Sequence, residues 1–367
     1  MTEAKPVATP RAGAIDARKG SRREMPAEWE RHDATWIAWP HHEPDWPGKF
    51  GTIPWVYAEI VRALHTRECV EILCNDDGVC SRATAVLDAH GVAPSGYRLH
   101  TVRTDRVWLR DAAPTFVWTE DGSAELVNWR FNAWAKYDNH RHDEKIGAAV
   151  ERITGLPRVD AVRPDKGEAL VLEGGGIETD GAGRVLVTEE WLLSDIQVRN
   201  PGMTREAYEV AFATYLGATD TIWLGSGCAG DDTHGHIDDV ARFAAPDTVL
   251  LAFEENPDDA NHASSADNLE RLEHASRTRP LRIIKLPYPR PVMMEEQRLP
   301  ASYANFYVAN GVVLVPTFND PMDRFALDII AGQFPGREIV GIHSVDLVWG
   351  LGTIHCLTQQ QPSPRGP

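Results

Sequence analysis

The sequence predicts an α/β fold in which strands and helices alternate from end to end, and three observations carry that prediction. Short apolar strand-like runs and helix-period segments take turns along the chain. Several strand pairs are joined by Gly-containing turns such as Asp180-Gly181-Ala182-Gly183. Helices recur at intervals of about 60 residues, each with more than one strand around it. That rhythm suggests a repeated unit of about 60–70 residues, although no letter-by-letter repeat is visible. Units of this kind set radially would bring distant motifs to one centre. A doubly wound sheet is the structural competitor, but no Gly-x-Gly-x-x-Gly turn marks a dinucleotide site.

Taken in order, residues 1–24 read as a flexible tail. They carry Lys5, Arg11, Arg18, Lys19, Arg22 and Arg23 but no apolar stretch of a secretory signal, an organelle-targeting role being the alternative. Structure is expected to begin at Met25-Pro26, with a strand over Ala34–Trp39 stopped by Pro40. A helix follows over 55–66, then a strand at Cys69–Leu73 and a helix over 79–90. The helix over 143–154 starts at Asp143 and stops at Gly155; that over 204–216 starts at Thr204 and stops at Gly217. Further helices are expected over 264–277 and 323–333. Strands are expected at Arg184–Val187, Thr221–Leu224, Thr248–Phe253, Leu281–Leu286 and Val312–Pro316. No interior linker is evident, which makes 25–362 a single catalytic domain and leaves 363–367 as a short C-terminal tail.

The chain has 367 residues, 43% of them apolar, and a formal net charge of −17. It can bury a sizeable core, and its charge argues against nucleic acid or an anionic membrane as partner. No apolar run approaches the roughly 18 residues of a membrane helix. The five cysteines, Cys69, Cys74, Cys80, Cys228 and Cys356, contain no Cys-x-x-Cys pair. An odd count in a long chain fits reduced thiols and a cytoplasmic setting.

Four motifs carry chemistry. In Asp105-Arg106-Val107-Trp108-Leu109-Arg110-Asp111, strand alternation sends Trp108 and Arg110 to one face and Leu109 and Asp111 to the other. A carboxylate beside an aromatic is a good guanidinium receptor, the alternative being a surface Arg–Asp pair. In Leu172-Glu173-Gly174-Gly175-Gly176, the glycines let backbone approach a ligand, and Glu173 points into the space they leave. In Gly230–Phe243, His236 and Asp238 lie two apart, on one face of a strand, and the carboxylate favours the imidazolium. The spacing His234-x-His236 also admits metal ligation, with His32, His41, His42 and Asp45 as further donors. Finally Cys356 ends a Gly-punctuated segment and follows His355; a nucleophilic thiol needs such a cation or imidazole nearby.

Together these stretches resemble the agmatine deiminase/peptidylarginine deiminase family of the guanidino-group-modifying (pentein) superfamily. The resemblance is carried by Met25–Glu30 with Ala34–Pro40, Trp108–Asp111, Leu172–Gly175, Gly235–Asp238 with Ala241–Phe243, and Ile354–Cys356 with Thr358–Gln360, in family order. It implies a five-bladed α/β propeller of ββαβ-type units and a small cationic guanidino substrate. It implies no metal and no organic cofactor, and a homo-oligomer. By the same resemblance Cys356 would attack the guanidinium carbon while Asp111 and Asp238 grip its nitrogens. His236 would protonate departing ammonia and then activate water; Glu173 would support the site as a guanidinium or His partner. Trp108 and Gly175 would complete the substrate pocket. Three positions depart from the family pattern: Leu351 stands amid what are successive glycines, Thr353 where Asn is frequent, and Ala135 where Gly is often found.

The activity implied is deimination of agmatine to N-carbamoylputrescine and ammonia through a covalent amidino-thioether. Deimination of another small guanidine or arginine derivative, or amidino transfer to an amine, is the alternative. A metal hydrolase and a guanidinium or polyamine sensor without turnover are further rivals.

Overall fold

The computed structural model describes residues 22–365, and the tail reading of residues 1–21 lies outside them. Arg23 and Glu24, at the end of that expected tail, are already held. Arg23 pairs with Glu125 at 2.6 Å, and the Glu24 and Met25 amides donate to Trp118 and Leu216. At the other end the Ser363 and Arg365 amides donate to Arg31 and Gly122.

Among the described residues, five sheets of three or four strands repeat one plan, with a small hairpin, Met293–Met294 with Gln297–Arg298, outside them. In each sheet an antiparallel pair is extended by a parallel strand reached over a helix, because parallel neighbours need a long crossover. In the first sheet, Gln359–Pro362 runs antiparallel to His32–Ala38. The strands Cys69–Cys74 and Tyr97–Thr101 then add in parallel across the helices Ile53–Leu64 and Asp77–Ala89. The second joins Thr115–Trp118, Ala124–Asn128 and Arg158–Asp160 across Ile146–Thr154. The third joins Glu178–Thr179, Arg184–Thr188 and Asp220–Leu224 across Arg205–Leu216. The fourth joins Ala241–Ala245, Thr248–Phe253 and Arg282–Pro287 across Ala260–Ser276. The fifth joins Tyr307–Ala309, Val312–Thr317 and Glu338–His343 across Met322–Gln333.

Most helix ends follow their sequence signals, but the helix expected to start at Asp143 starts at Ile146 after a 3-10 turn, and Asp143 accepts instead from the Asp105 and Arg106 amides. Thr204 accepts from the Ala207 amide and Asp76 from the Val79 amide, each satisfying an orphan N–H of a first turn. The helix expected over 264–277 starts earlier, at Ala260, where Asp259 accepts from the Asn261 amide. Gly155 and Gly217 sit at φ 70° and 71°, the left-handed conformation that ends a helix.

Two segments expected as strands are helical turns instead. Leu109–Ala112 forms one, with the Asp111 and Ala112 amides donating to Trp108, and Ile237–Asp239 forms the other, with the Val240 amide donating to Ile237. Each alternating run is too short to pair with a neighbour, so the backbone bonds locally. The first turn puts Trp108 and Asp111, three apart, along one pocket, and buries Arg110 in the interior.

Each sheet is entered the same way. A short turn precedes the first strand of its antiparallel pair, and those turns carry Asp111, Glu173 with Gly175, His236 with Asp238, Asn305 and Cys356.

A Cβ on Gly217 would lie 2.0 Å from the Arg23 carbonyl oxygen, whereas one on Gly155 meets nothing within 4 Å. Gly155→Ala is therefore expected to lose only the left-handed strain, about 1 kcal/mol. Gly217→Ala should lose about 1–3 kcal/mol more through overpacking. Denaturant unfolding of the two variants measures the difference.

Candidate active site

Gly175 marks the point where the polar motifs converge. A Cβ there would lie 2.6 Å from His236 Nδ1, 2.7 Å from Asp111 Oδ1 and 3.2 Å from Asp238 Oδ2. Only glycine leaves that space open, which is the close approach the Gly-rich turn provides. Cys356 Sγ lies 3.6 Å from Asp238 Oδ2, so the thiol borders the same space. The adjoining pocket, lined by Trp108, Asp111, Trp134, Leu351 and Cys356, is tight, about 30 Å³, room for about two waters.

Each polar group is held by a defined partner. Asp111 accepts from Trp134 Nε1 at 2.9 Å and from the Gly175 amide at 3.0 Å. Glu173, fully buried, accepts from Trp191 Nε1 at 2.6 Å and Arg199 Nε at 3.1 Å, and faces His236 Nε2 at 3.4 Å. It therefore acts toward the imidazole rather than toward the pocket, fixing Nε2 and leaving Nδ1 directed at Asp111. His355 Nδ1 lies 2.8 Å from Asp238 Oδ2, and its Nε2 lies 2.8 Å from Glu28 Oε2. Asp238 Oδ1 is buried and has no hydrogen-bond partner among the described residues. An orphaned acceptor costs folding energy unless a ligand satisfies it.

The electrostatics follow from burial without water. For Asp111, burial and then the neighbouring Asp238 and Glu173 carboxylates outweigh His236, and its pKa rises to about 6. Burial alone would depress His236, but Asp111, Glu173 and Asp238 reverse this and raise it to about 9. Glu173 is likewise disfavoured by burial, yet Arg199, His236 and Trp191 hold it down at about 2. Burial, then Asp238, Asp239 and Asp111, pushes the Cys356 thiol well above its usual range. The site thus holds an imidazolium, a surplus of carboxylate and a thiol awaiting a cation.

All the residues singled out by sequence, Trp108, Asp111, Glu173, Gly175, His236, Asp238 and Cys356, lie at or beside this point. The rival metal donors do not. His234 Nε2 lies 3.0 Å from Ser194 Oγ, His41 Nε2 3.0 Å from the Thr104 carbonyl, and His32 Nε2 2.8 Å from the Glu28 carbonyl. No metal-holding group of three or more His, Cys, Asp and Glu occurs among the described residues. Asn305, Arg199, Trp191 and Glu28 were not singled out. Glu28 belongs to the Met25–Glu30 stretch that carries the resemblance, whereas no local polar pattern marks Asn305.

A buried thiol, an imidazole and an unpaired carboxylate oxygen thus border one gap. Known proteins that resemble the chain place it in a family. Residues 24–362 match the family described as Porphyromonas-type peptidyl-arginine deiminase. An agmatine deiminase of Pseudomonas aeruginosa is 32% identical, covering 98% of this chain and 99% of its own. One from Pseudomonas syringae is 34% identical over 93% and 96%. The solved agmatine deiminase of Enterococcus faecalis superposes with a TM-score of 0.83 at 29% identity, covering 97% of this chain and 99% of that one. The chain belongs to the Porphyromonas-type peptidyl-arginine deiminase family, within the pentein superfamily.

The His236 imidazole is expected to titrate near pH 9 by NMR. Asp111→Asn, which removes the foremost carboxylate acting on it, should move that midpoint down. An unchanged midpoint would remove Asp111 as the cause.

Proposed function

We propose that this protein is a guanidine deiminase that hydrolyses agmatine to N-carbamoylputrescine and ammonia. The convergence of Asp111, Asp238 and His236 on the gap at Gly175, with the Cys356 thiol 3.6 Å from Asp238, carries the reading. A guanidinium stays protonated at pKa above about 12 and resists nucleophiles. Asp111 and the unpartnered Oδ1 of Asp238 would take its N–H donors in a fixed plane, setting its carbon against sulfur. The substrate's charge then replaces the missing counter-ion of the carboxylates and favours the Cys356 thiolate.

The thiolate attacks the guanidinium carbon to form a C–S bond. The His236 imidazolium, directed through Nδ1, gives its proton to the departing nitrogen, and ammonia leaves as the C–N bond breaks. The neutral imidazole then takes a proton from water as the oxygen attacks the amidino carbon. Sulfur leaves as thiolate, the remaining O–H proton passes to solvent as the C=O forms, and the ureido product departs. Glu173 keeps the ring in place throughout.

At the pocket mouth Asp232 accepts from the Lys136 ammonium and, at 2.6 Å, from the Tyr137 hydroxyl, so its charge is met by the protein's own cation. Of the departures from the family pattern, Leu351 lines the pocket at φ 69°, and Ala135, at φ 53°, is exposed beside Trp134. Side chains are strained there, and strain of this kind gathers at functional sites.

The five sheets, each entered by a turn carrying site residues, support an arrangement as blades of a five-bladed α/β propeller. On this reading the entry turns face one another at its centre.

The first test is ureido product from agmatine, arginine, guanidinobutyrate and a peptidyl-arginine, with chelator present. Agmatine turnover that vanishes in Cys356→Ser is expected. Product that appears only when an amine is added would replace hydrolysis by amidino transfer.

The pH dependence follows from the two perturbed groups. Asp111 must be ionised to hold the guanidinium, so kcat/KM should fall as pH drops through about 6. His236 must be protonated to release ammonia, so it should fall again as pH rises through about 9. A profile flat across either limb would remove that group from its role.

A further inference from the structure

The turns that enter the sheets each place a polar side chain at the site, and in the turn before Tyr307–Ala309 that side chain is Asn305. It is fully buried, and its Nδ2 donates to Cys356 Sγ at 3.1 Å. Its Oδ1 accepts from Thr353 Oγ1 at 2.7 Å, from the His355 amide at 3.0 Å and from the Cys356 amide at 3.4 Å. One side chain thus bonds both the sulfur and the backbone that presents it.

The charged and titratable groups facing that sulfur are Asp238, Asp239 and Asp111, with His236 across the gap. The carboxylates oppose a second negative charge. Asn305 is the side-chain donor on the sulfur, beside the Thr353 backbone amide, and a neutral amide can stabilise developing thiolate without competing for a cationic substrate. We propose that Asn305 is a catalytic residue of this site, an amide donor that holds Cys356 Sγ as thiolate. In the attack step it would keep the sulfur charge in place until the C–S bond forms. When that bond breaks it would receive the charge again. This rests on Cys356 being the nucleophile, as argued above.

Asn305→Asp separates the two functions of the side chain. It keeps the acceptor that ties Thr353, His355 and Cys356, and it replaces the donor on sulfur with a carboxylate oxygen. Asn305→Ala removes both. The probe is 2-chloroacetamidine, which carries a planar amidinium into the site, with labelling of Cys356 followed by mass spectrometry and thermal unfolding run beside it. Asn305→Asp is expected to lower the maximal inactivation rate by about 10- to 100-fold without raising the half-saturating concentration. The rate–pH profile should move up by about one unit. Asn305→Ala should show the same loss of rate with a lower melting temperature and weaker probe binding.

Labelling of Asn305→Asp at the wild-type rate and pH profile would overturn the proposal. So would equal losses of rate, probe binding and melting temperature in the two variants, because they would make Asn305 a scaffold for the loop only. A wild-type protein whose Cys356 is not labelled at all would instead remove the nucleophile, and this proposal with it.

Discussion

The Glu28 carboxylate ties together parts of the chain that are far apart in sequence. Its Oε1 accepts from Arg242 Nη2 at 2.9 Å and the Val308 amide at 2.8 Å; its Oε2 takes Arg110 Nη2 at 3.2 Å and His355 Nε2 at 2.8 Å. Arg110 continues to the Gln360 side chain and the His355 carbonyl, while Arg242 continues to Glu178. Burial by itself would raise the Glu28 pKa, yet Arg242, His355 and Arg110 hold it well below its usual range. A carboxylate so placed gives specificity of arrangement more than net stability, since removing one partner strands the others without water. Through His355 it also decides which oxygen of Asp238 is left free.

That network explains how a gap with so many like charges persists. Asp111 and Asp238 lie close together, while the nearby cations Arg110, Arg199 and Arg242 are paired with Glu28, Glu173 and Glu178 behind the gap. The frame is neutralised from outside while the gap itself is short of positive charge. On the proposed mechanism a planar cation would fill that deficit and give the thiol, whose ionisation the carboxylates oppose, its counter-ion, so that binding and activation of the nucleophile would be one electrostatic event. The aromatic walls sharpen it: Trp134 and Trp191 spend their N–H groups on Asp111 and Glu173, fixing the carboxylates while excluding solvent.

Much of this was legible in the amino-acid sequence, for particular reasons. Helices at Arg205–Leu216 and Ile146–Thr154 have marked stops at Gly217 and Gly155, and the long strands have uninterrupted apolar runs, so local chemistry defines them. Site residues on dense polar motifs, such as His236 and Asp238, were visible because core packing does not call for such groups. The turns at Leu109–Ala112 and Ile237–Asp239 were not, because a run of a few alternating residues has no period that separates a strand from a single helical turn. Asn305 was hidden for a different reason. It is one amide among apolar neighbours, Ala304 and Phe306, and its role exists only once Cys356, 51 residues later, is folded against it.

The strand Gln359–Pro362, which lies antiparallel to His32–Ala38, begins three residues after Cys356. The first sheet therefore waits for one of its members until nearly the whole described chain has been made. During synthesis His32–Ala38 presents an open edge to its surroundings, a pairing surface that other chains could occupy. The same late strand brings the thiol into register with carboxylates laid down long before. A growing chain thus carries these carboxylates without the thiol, and the two meet only when the first and last strands of the described residues pair.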